Sequence, residues 1–512
     1  MILLVLGCSG EPVENTEPVT EPTVAPVTAP MQRPALTVTP TFEPVGEASQ
    51  TPSSIVIISL DTVRADRLAV YGGPAQTPVM SAFAEQGTRF NQAISHFPET
   101  ALSHWSLLSG VLPEVHGNVP ANGGSRYTGP TLAEIATRHD YATAAFIGGV
   151  TLTDQASGLS RGFATYDDQF PLDAADMKRP GAEVTAAAST WIKQQTGPYF
   201  AFVHYFDAHF PYTPAPPWDT AYDPDYTGSL TGSDADLRPY RDGGKVPSPE
   251  DLAHILALYD GELSELDALL AEVLDAAGPD AVVVITADHG ESFEHGYYFN
   301  HRAGLWDSVV RVPWLIRGPT VPVQVIERQV GLIDITPTVL ALAGLPRDAR
   351  MQGSAQIAGN TDRPSPVFSI TDPWMPEPQF AQRTLTEKCI QQPDATLRYD
   401  LSLDPTESTD LSGAPCDRSV YDDLIASLAS SQAPEPEVGR ELSAEECARL
   451  EALGYTTCSD APGPPGPPPG QQPGAHPPGA HPPGGQPPGA HPSGQRPPGQ
   501  PPGTPPPKNP PR

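Results

Sequence analysis

Acidic side chains directly follow two apolar, β-branched stretches of the chain. Asp61 comes after IVIISL, and Asp288 and His289 come after VVVITA. Ligands of a parallel sheet bind at the carboxyl ends of its strands, so these three side chains are expected to meet at one edge. Two carboxylates and an imidazole at such an edge can hold a divalent cation. The competing interpretation is that each Asp only caps the helix that follows its strand.

A hydroxyl and an imidazole lie four residues apart in PETALSHWSLLSG, where Thr100 and His104 stand at a short apolar helix. The start of a helix leaves backbone N–H groups unpaired and favours negative charge. A hydroxyl that is also close to a divalent cation can be held partly as the alkoxide, which is a nucleophile. A Thr or Ser at this point is otherwise a helix N-cap, and Thr100 or Ser103 could serve as that alone.

Five apolar runs predict the strands that position these residues. Their hydrophobicity is almost continuous, which is typical of strands covered on both faces in a mainly parallel sheet. A helix is predicted from about Pro249 to Ala277, with a capped acidic start and a stop at Gly278. Strands that alternate with helices indicate an α/β fold, a doubly wound sheet with helices on both faces. The five runs are SSIVIISL (53–60), YATAAFI (141–147), YFAFVHYF (199–206), AVVVITA (281–287) and VPWLIRG (312–318).

The pattern changes after about Asp334, and a second, smaller unit is predicted there. DITPTVLALAGLP is expected to be a helix that ends at Gly344, and PVFSI, RTLTEKCI and ATLRYDLSLDPTES look like strands of a small antiparallel sheet. Residues 441–455 have the pattern of a last amphipathic helix. We therefore assign residues 53–345 to a large α/β domain and residues 346–460 to a small C-terminal subdomain.

Both ends of the chain differ in composition from the part between them. Residues 1–8, MILLVLGC, resemble the end of a bacterial lipoprotein signal, so we expect a lipid on Cys8 and sorting to the outer membrane by Ser9. Residues 9–52 are rich in Pro and Thr and predict a tether. Residues 461–512 are almost wholly Pro, Gly, Gln and His and predict disorder. The alternative is a cytosolic protein with a chance apolar start.

The charge balance narrows the range of partners. The chain carries 29 basic and 61 acidic residues, a net charge of −32. This argues against nucleic acid or an anionic membrane surface as a partner, so contact with the membrane is expected only through the lipid anchor. A small anionic substrate stays possible, because a metal ion and a few histidines can reverse the field inside one cleft.

Four cysteines lie late in the chain, at Cys389, Cys416, Cys447 and Cys458. In an exported protein they suggest two disulfides, for which three pairings are possible. Their spacing is not that of a zinc site. Without export they would be reduced structural cysteines.

An ordered series of motifs resembles the sulfatase family of the alkaline-phosphatase superfamily, over nearly all of residues 53–457. Any one motif is weak evidence, whereas the series in this order is specific. The resemblance implies a large doubly wound domain with a small C-terminal antiparallel sheet against a long helix. The motifs are IVIISLDTVRADRLAVYG, TPVMSAFAEQGTRFNQAIS, SHWSLLSGVLPEVHGN, FVHYFDAHFPY, LYDGELSELDALLAEVL, TADHGESFEHG, VVRVPWLIRGP, LIDITPTVLALAGLP and LRYDLSLDPTE.

The resemblance assigns roles to residues by position. Asp61, Asp288 and His289 match metal ligands of the family. Thr100 falls at the nucleophile position, and its oxygen is expected to complete the metal site. His104 falls where the family motif has its arginine, which implies a catalytic role.

Two further histidines, His209 in DAHFPY and His301 in YFNHRAGLW, match residues that contact the anionic group or the leaving oxygen. Each histidine also has a structural interpretation. His104 could lie in the core or on a helix surface, His209 could brace the turn at Pro211, and His301 could be an exposed loop residue.

The sequence also departs from the family pattern. Ordinary sulfatases oxidise a Cys or Ser at the nucleophile position to formylglycine, but Thr100 cannot form this aldehyde because its β-carbon carries a methyl group. No formylglycine is therefore expected. Thr62 follows Asp61 where a second carboxylate is usual, and FIGGVTLTDQ stands where a segment with a catalytic lysine and histidine is usual.

We therefore expect a metal-dependent hydrolase of sulfate or phosphate esters in the bacterial cell envelope, with a small anionic ester as substrate. The ligand set favours one Ca²⁺, and the imidazole also allows Mn²⁺ or Zn²⁺. Two alternatives stay open: a phosphotransferase or phosphodiesterase with Thr100 as nucleophile, and an inactive fold kept as an envelope binding protein. Substrate specificity is expected to lie in loops such as 213–248, which have no readable chemistry.

Overall fold

The computed structural model describes residues 53–117, 127–169, 178–356, 367–371 and 378–429. These residues form an eight-stranded sheet, a four-stranded sheet and a two-stranded sheet. The strands are β1 (Ile55–Leu60), β2 (Thr88–Ile94), β3 (Ala142–Phe146), β4 (Thr165–Asp167), β5 (Tyr199–Tyr205), β6 (Val282–Thr286), β7 (Ser292–Glu294), β8 (Tyr297–Asn300), β9 (Arg311–Arg317), β10 (Gln324–Gly331), β11 (Val367–Ile370), β12 (Phe380–Arg383), β13 (Glu387–Gln391) and β14 (Thr396–Asp400).

The α-helices of the same residues include the long helix predicted from the sequence. The Ser248 side chain caps its first turn by accepting a hydrogen bond from Asp251 N at 3.1 Å, and Gly278 ends it with a φ of 70°. Among the described residues, none of the helices is long and apolar enough to cross a bilayer. The helices are α1 (Pro78–Ala84), α2 (Thr100–Ser109), α3 (Pro113–His116), α4 (Leu132–Arg138), α5 (Asp154–Ser157), α6 (Gly181–Lys193), α7 (Asp234–Arg241), α8 (Pro249–Ala277), α9 (Asp307–Val310), α10 (Ile335–Leu342) and α11 (Ser419–Ala429).

The large sheet has the strand order β10-β2-β9-β6-β1-β5-β3-β4. Its strands run parallel except β9, which is antiparallel to its neighbours β2 and β6. Every residue of β1, β5 and β6 is buried, so the centre of the sheet is covered on both faces. Among the helices, α6 contacts α8, and α2 contacts α4 and α10. The predicted doubly wound, mainly parallel α/β fold is confirmed.

All five strands predicted for the large sheet form, but the sequence patterns missed its other three, β2, β4 and β10, and also β7 and β8 of the two-stranded sheet. β2 and β10 lie at one end of the sheet, and several of their side chains are only half-buried or exposed. Such strands carry polar residues such as Arg89, Gln92 and Glu327, so they lack the continuous apolar run by which the central strands were recognised. The run VPWLIRG forms the single antiparallel strand β9.

The small sheet is an antiparallel meander of β11, β12, β13 and β14 in chain order, as predicted for this part of the chain. The segment RTLTEKCI is not one strand, because β12 ends at Arg383 and β13 begins at Glu387. Cys389 forms a disulfide with Cys416, which realises one pairing among the four late cysteines. Other sequence predictions fall outside the described residues: the lipoprotein-type signal at 1–8, the tether at 9–52, the helix at 441–455, the tail at 461–512, and Cys447 and Cys458.

A buried ion cluster joins the small sheet to the large domain. Lys388 on β13 places its Nζ 2.8 Å from Asp307 Oδ1 and 2.8 Å from Glu407 Oε1. Arg383 at the end of β12 places Nη2 2.7 Å from Asp307 Oδ2. Because Asp307 begins α9, these bonds hold the small sheet against the segment that follows His301.

Candidate metal centre and active site

Asp61, Asp288 and His289 lie together at the carboxyl edge of the large sheet. Asp61 directly follows β1, and Asp288 and His289 follow the neighbouring parallel strand β6. Each residue offers one ligand atom, and these atoms lie within 4.8 Å of one another. All three side chains are buried. The structure thus brings together the three residues that the strand ends predicted to meet.

One atom of each residue has no hydrogen-bond partner among the described residues: Asp61 Oδ1, Asp288 Oδ2 and His289 Nε2, the last two of which lie 3.2 Å apart. The other polar atoms are held by the protein. Asp288 Oδ1 accepts hydrogen bonds from His289 N at 2.8 Å and Thr62 N at 3.3 Å, and His289 Nδ1 donates to Gly290 O at 3.0 Å. Buried polar atoms rarely stay unsatisfied, so this donor set fits a divalent cation.

The electrostatics of the cluster also favour a cation. Burial raises the pKa of Asp61 to about 6, although His289 and the Thr100 hydroxyl act to lower it. Burial and the charge of Asp61 both raise the pKa of Asp288. Burial acts to lower the pKa of His289, but the two carboxylates outweigh it and the pKa is raised. A bound divalent ion would relieve the repulsion between the buried carboxylates.

Thr100 is the first residue of α2 and is fully buried beside the cluster. Its hydroxyl makes a hydrogen bond with the Asp61 carboxylate. Glu99 occupies the N-cap position, and no side chain caps this helix. The alternative that Thr100 or Ser103 is only the cap is therefore not what the structure shows. Ser103 instead donates its hydroxyl hydrogen to Asp288 O at 2.7 Å.

His104 lies one helical turn after Thr100, and both of its ring nitrogens are engaged by the protein. Nδ1 donates to Thr100 O at 2.7 Å, and Nε2 lies 2.8 Å from Ser59 Oγ. Burial lowers the pKa of His104 to about 3, so the ring is neutral at pH 7. His104 therefore holds the backbone of Thr100, and the catalytic role that the resemblance implied stays a prediction.

His209 and His301 line the other side of the cluster. The His301 ring stacks on His289 with centroids 4.1 Å apart, and the His209 ring lies 5.7 Å from His301. Their Nδ1 atoms donate to backbone carbonyls, His301 to Pro98 O at 2.7 Å and His209 to Phe210 O at 2.8 Å. Burial lowers the pKa of both rings well below the usual range. The structure brings both histidines to the site, and their catalytic roles stay predictions.

Two residues of this site were missed from the sequence. His204 on β5 places Nε2 3.3 Å from Asp61 Oδ2, and its ring meets the His104 ring edge-on at 5.1 Å. Lys178 pairs by an isolated bridge with Gly149, and its Nζ donates to Asp207 O at 3.0 Å and Pro211 O at 2.9 Å.

The positive charge of Lys178 acts to lower the pKa of both Asp61 and His209. A lysine therefore does reach the segment after the third strand, where the local sequence FIGGVTLTDQ had suggested that none was present. It comes from farther along the chain. A polar residue near the carboxyl end of the run YFAFVHYF was the available signal for His204.

A mainly parallel sheet with two carboxylates and a histidine at the ends of β1 and β6, and a small antiparallel sheet, defines the alkaline-phosphatase-like class of fold. Within that class, the sequence model of the sulfatase family matches residues 53–345. The chain belongs to the sulfatase family.

The sequence relatives differ in how much of the chain they match. Arylsulfatase K of Rattus norvegicus is 29% identical over 184 residues, which cover 31% of this chain and 32% of that protein. The ulvan-active sulfatase of Formosa agariphila is 23% identical over 436 residues, which cover 77% of this chain and 83% of that protein. The chain spans about a third of the length of the arylsulfatase K relatives it matches.

Solved structures share the fold over most of the chain. The phosphonate monoester hydrolase of Agrobacterium radiobacter has a TM-score of 0.59 at 20% identity and covers 76% of this chain and 100% of its own. A 2-O GAG sulfatase has a TM-score of 0.58 at 19% identity and covers 76% of this chain and 95% of its own. At these identities the likeness establishes the fold alone.

Proposed function

We propose that the chain hydrolyses sulfate esters with one divalent cation and the Thr100 hydroxyl. The observation that carries this proposal is the convergence of Asp61 Oδ1, Asp288 Oδ2 and His289 Nε2 beside Thr100. Membership of the sulfatase family supports a sulfate ester as substrate, as do relatives named arylsulfatase K and ulvan-active sulfatase.

Thr100 is the nucleophile in this proposal. Asp61 accepts a hydrogen bond from its hydroxyl, and His104 holds its backbone carbonyl. A divalent cation held by Asp61, Asp288, His289 and the Thr100 oxygen would polarise the ester and lower the pKa of the hydroxyl. In the first step Thr100 Oγ1 gives its proton to the Asp61 carboxylate that accepts its hydrogen bond, and bonds to sulfur as the bond from sulfur to the leaving oxygen breaks. In the second step water bonds to sulfur as the bond from sulfur to Oγ1 breaks, which releases sulfate and returns a proton to Oγ1.

His209 and His301 serve the leaving oxygen in this scheme. Each ring holds its Nδ1–H on a backbone carbonyl, so Nε2 is the atom that gains a proton. An anionic ester beside the rings favours the charged imidazole and raises its pKa. A protonated Nε2 can then give its proton to the leaving oxygen.

Phosphate esters are the second candidate substrate, because Thr100 is a plain hydroxyl nucleophile and cannot become formylglycine. A hydroxyl held beside a cation can accept a phosphoryl group as well as a sulfuryl group. In that case the phosphoryl group on Thr100 is transferred to water, or to an acceptor alcohol as in a phosphotransferase, and Oγ1 regains a proton as its bond to phosphorus breaks.

A substrate screen tests these possibilities. The metal-free protein is assayed with an aryl sulfate, a phosphomonoester, a phosphodiester and a phosphonate monoester, each with and without added divalent metals. We expect turnover of at least one class, dependent on added metal, from protein made without a formylglycine-generating enzyme. Mass spectrometry should show unmodified threonine at position 100. Metal binding without turnover of any class would instead favour the envelope binding protein.

We also propose that the protein is held at the bacterial cell envelope by a lipid on Cys8. The N-terminal motif and the disulfide between Cys389 and Cys416 support this location, since disulfides persist in oxidising compartments. In cells that process bacterial lipoproteins, the parent should sediment with membranes and the Cys8→Ala variant should not. The Ser53→Ala variant is the control. A parent that is soluble in the cytoplasm would contradict the proposal.

A further inference from the structure

The Asp61 carboxylate has only one oxygen to offer a metal ion. Its Oδ2 lies 3.3 Å from His204 Nε2, and its Oδ1 faces the cluster. A carboxylate accepts and does not donate, so His204 Nε2 carries the proton. His204 is fully buried on β5, and its Nδ1 has no hydrogen-bond partner among the described residues. This contact occupies Asp61 Oδ2 and leaves Oδ1 as the oxygen that can bind a metal ion.

Asp288 and His289 are restricted in the same way. Asp288 Oδ1 is taken by two backbone N–H groups, those of His289 and Thr62, which leaves Oδ2 for a metal. His289 Nδ1 is committed to Gly290 O, which leaves Nε2. The three side chains therefore supply two oxygens and one nitrogen.

Thr62 cannot add the oxygen that a second carboxylate would give. Its hydroxyl donates to Asp61 O at 2.7 Å, and its carbonyl accepts from Tyr259 Oη at 2.7 Å. Its backbone is left-handed, with a φ of 59°. With the Thr100 hydroxyl as a further ligand, the described residues supply four ligands, all from buried side chains.

Three of these ligands are oxygens and one is an imidazole nitrogen, whereas Ca²⁺ takes about six to eight oxygens and would need about three more from water or substrate. The four ligands suit Zn²⁺, which takes about four nitrogen, oxygen or sulfur ligands and keeps one position for the reacting group, here the Thr100 oxygen. Nitrogen ligands also favour Zn²⁺ over Ca²⁺ and Mn²⁺. The sequence-based expectation of Ca²⁺ did not take the contact of His204 with Asp61 into account.

We propose that the site selects Zn²⁺ over Ca²⁺, and that His204 enforces this choice by holding the second oxygen of Asp61. The proposal rests on the proposed metal-dependent function. It is tested by binding, so that it can stand or fall apart from turnover.

The test measures metal affinity of the full chain after chelation, by competition with a chromophoric chelator, and metal content by elemental analysis. We expect one Zn²⁺ per chain, bound at least about a hundredfold more tightly than Ca²⁺. Co²⁺ in the site should give the intense visible absorption of a four-coordinate ion. Equal or tighter binding of Ca²⁺ or Mn²⁺, or the weak spectrum of six-coordinate Co²⁺, would overturn the proposal.

Variants of His204 test its part in the selection. His204→Ala frees Asp61 Oδ2, so Zn²⁺ affinity should fall about 10- to 100-fold, as for other outer-shell partners of metal ligands, with little loss of Ca²⁺ affinity. His204→Gln keeps an N–H donor and should retain most of the preference. The control is His254→Ala, which removes the imidazole from a comparable pair, 3.1 Å from Asp223, away from the site.

An unchanged ratio of Zn²⁺ to Ca²⁺ affinity in folded His204→Ala would show that His204 does not set the preference. If His204→Ala does not fold, the Gln variant and the parent decide the question. Tight Zn²⁺ binding without turnover of any ester would contradict the proposed function and leave the metal selection intact.

Discussion

Thr100→Ala should stay folded and lose at least about a hundredfold in the rate of ester hydrolysis, the lower end of what one positioned catalytic group contributes. The substitution removes the hydroxyl that bonds Asp61 at the cluster of Asp61, Asp288 and His289. It removes no helix cap, because Glu99 holds the N-cap position. Loss of one buried hydrogen bond costs about 1–3 kcal/mol, which a domain with this core can tolerate. The measurement is kcat on the best substrate, with thermal unfolding as the check on folding.

Two variants make this result specific to the Thr100 oxygen. Thr100→Ser keeps a hydroxyl at the same position and should keep much of the activity. Ser103→Ala removes a hydroxyl from the same helix, where it bonds Asp288 O and Ser95 Oγ, and should have a mild effect on the rate. Full activity in folded Thr100→Ala would show that another group attacks the ester.

The elements that carry the cluster could be predicted because their signals are local. β1 and β6 are continuous apolar runs, and Asp61 and Asp288 directly follow them. Once both strands are parallel neighbours, the two carboxylates must share an edge. The long helix α8 was predictable for the same reason, since its periodicity, its cap and its final glycine are all written in adjacent residues.

The contacts of the site that could not be predicted depend on the order of the strands and on pairing between segments that are distant in sequence. His204 meets the cluster because β5 pairs with β1 in the register that sets His204 opposite Ser59. The charge of Lys178 acts on Asp61 because its segment, later in the chain, pairs with Gly149. The contacts of His104 with Ser59 and Thr100 O could not be predicted either, since they depend on how β1 packs against α2. A family motif gives a residue's position, and only the surrounding contacts decide what its side chain does.

Asp288→Asn should abolish metal binding, and with it activity, without unfolding the protein. The amide oxygen can still accept from the backbone N–H groups of His289 and Thr62, so the local turn is kept. The amide nitrogen takes the place of Oδ2, and it donates where a metal needs a lone pair. Elemental analysis should find about one divalent ion per parent chain and almost none in the variant.

Adding metal should reverse the order of stability of the parent and the Asp288→Asn variant. The pKa of Asp288 is raised in the folded state, so without metal the ionised carboxylate destabilises the fold increasingly as pH rises above its ordinary value of 3.8. At pH 7 metal-free Asp288→Asn should therefore be at least as stable as the metal-free parent. At a metal concentration about 100 times Kd, the parent should gain about 2.7 kcal/mol and the variant nothing.

A buried carboxylate elsewhere in the domain provides the matched control. Asp267 is also buried and accepts from two backbone N–H groups, those of Val79 and Met80, at 2.8 Å each. Asp267→Asn changes a carboxylate outside the ligand set; because Val79 N bonds Oδ2 and Met80 N bonds Oδ1, it loses one of the two hydrogen bonds and some stability, but it should keep full metal content and the metal-dependent gain in stability. Equal metal content in Asp288→Asn and the parent would show that the cation does not bind between β1 and β6, and the roles given to Asp61, His289 and Thr100 would fall with it.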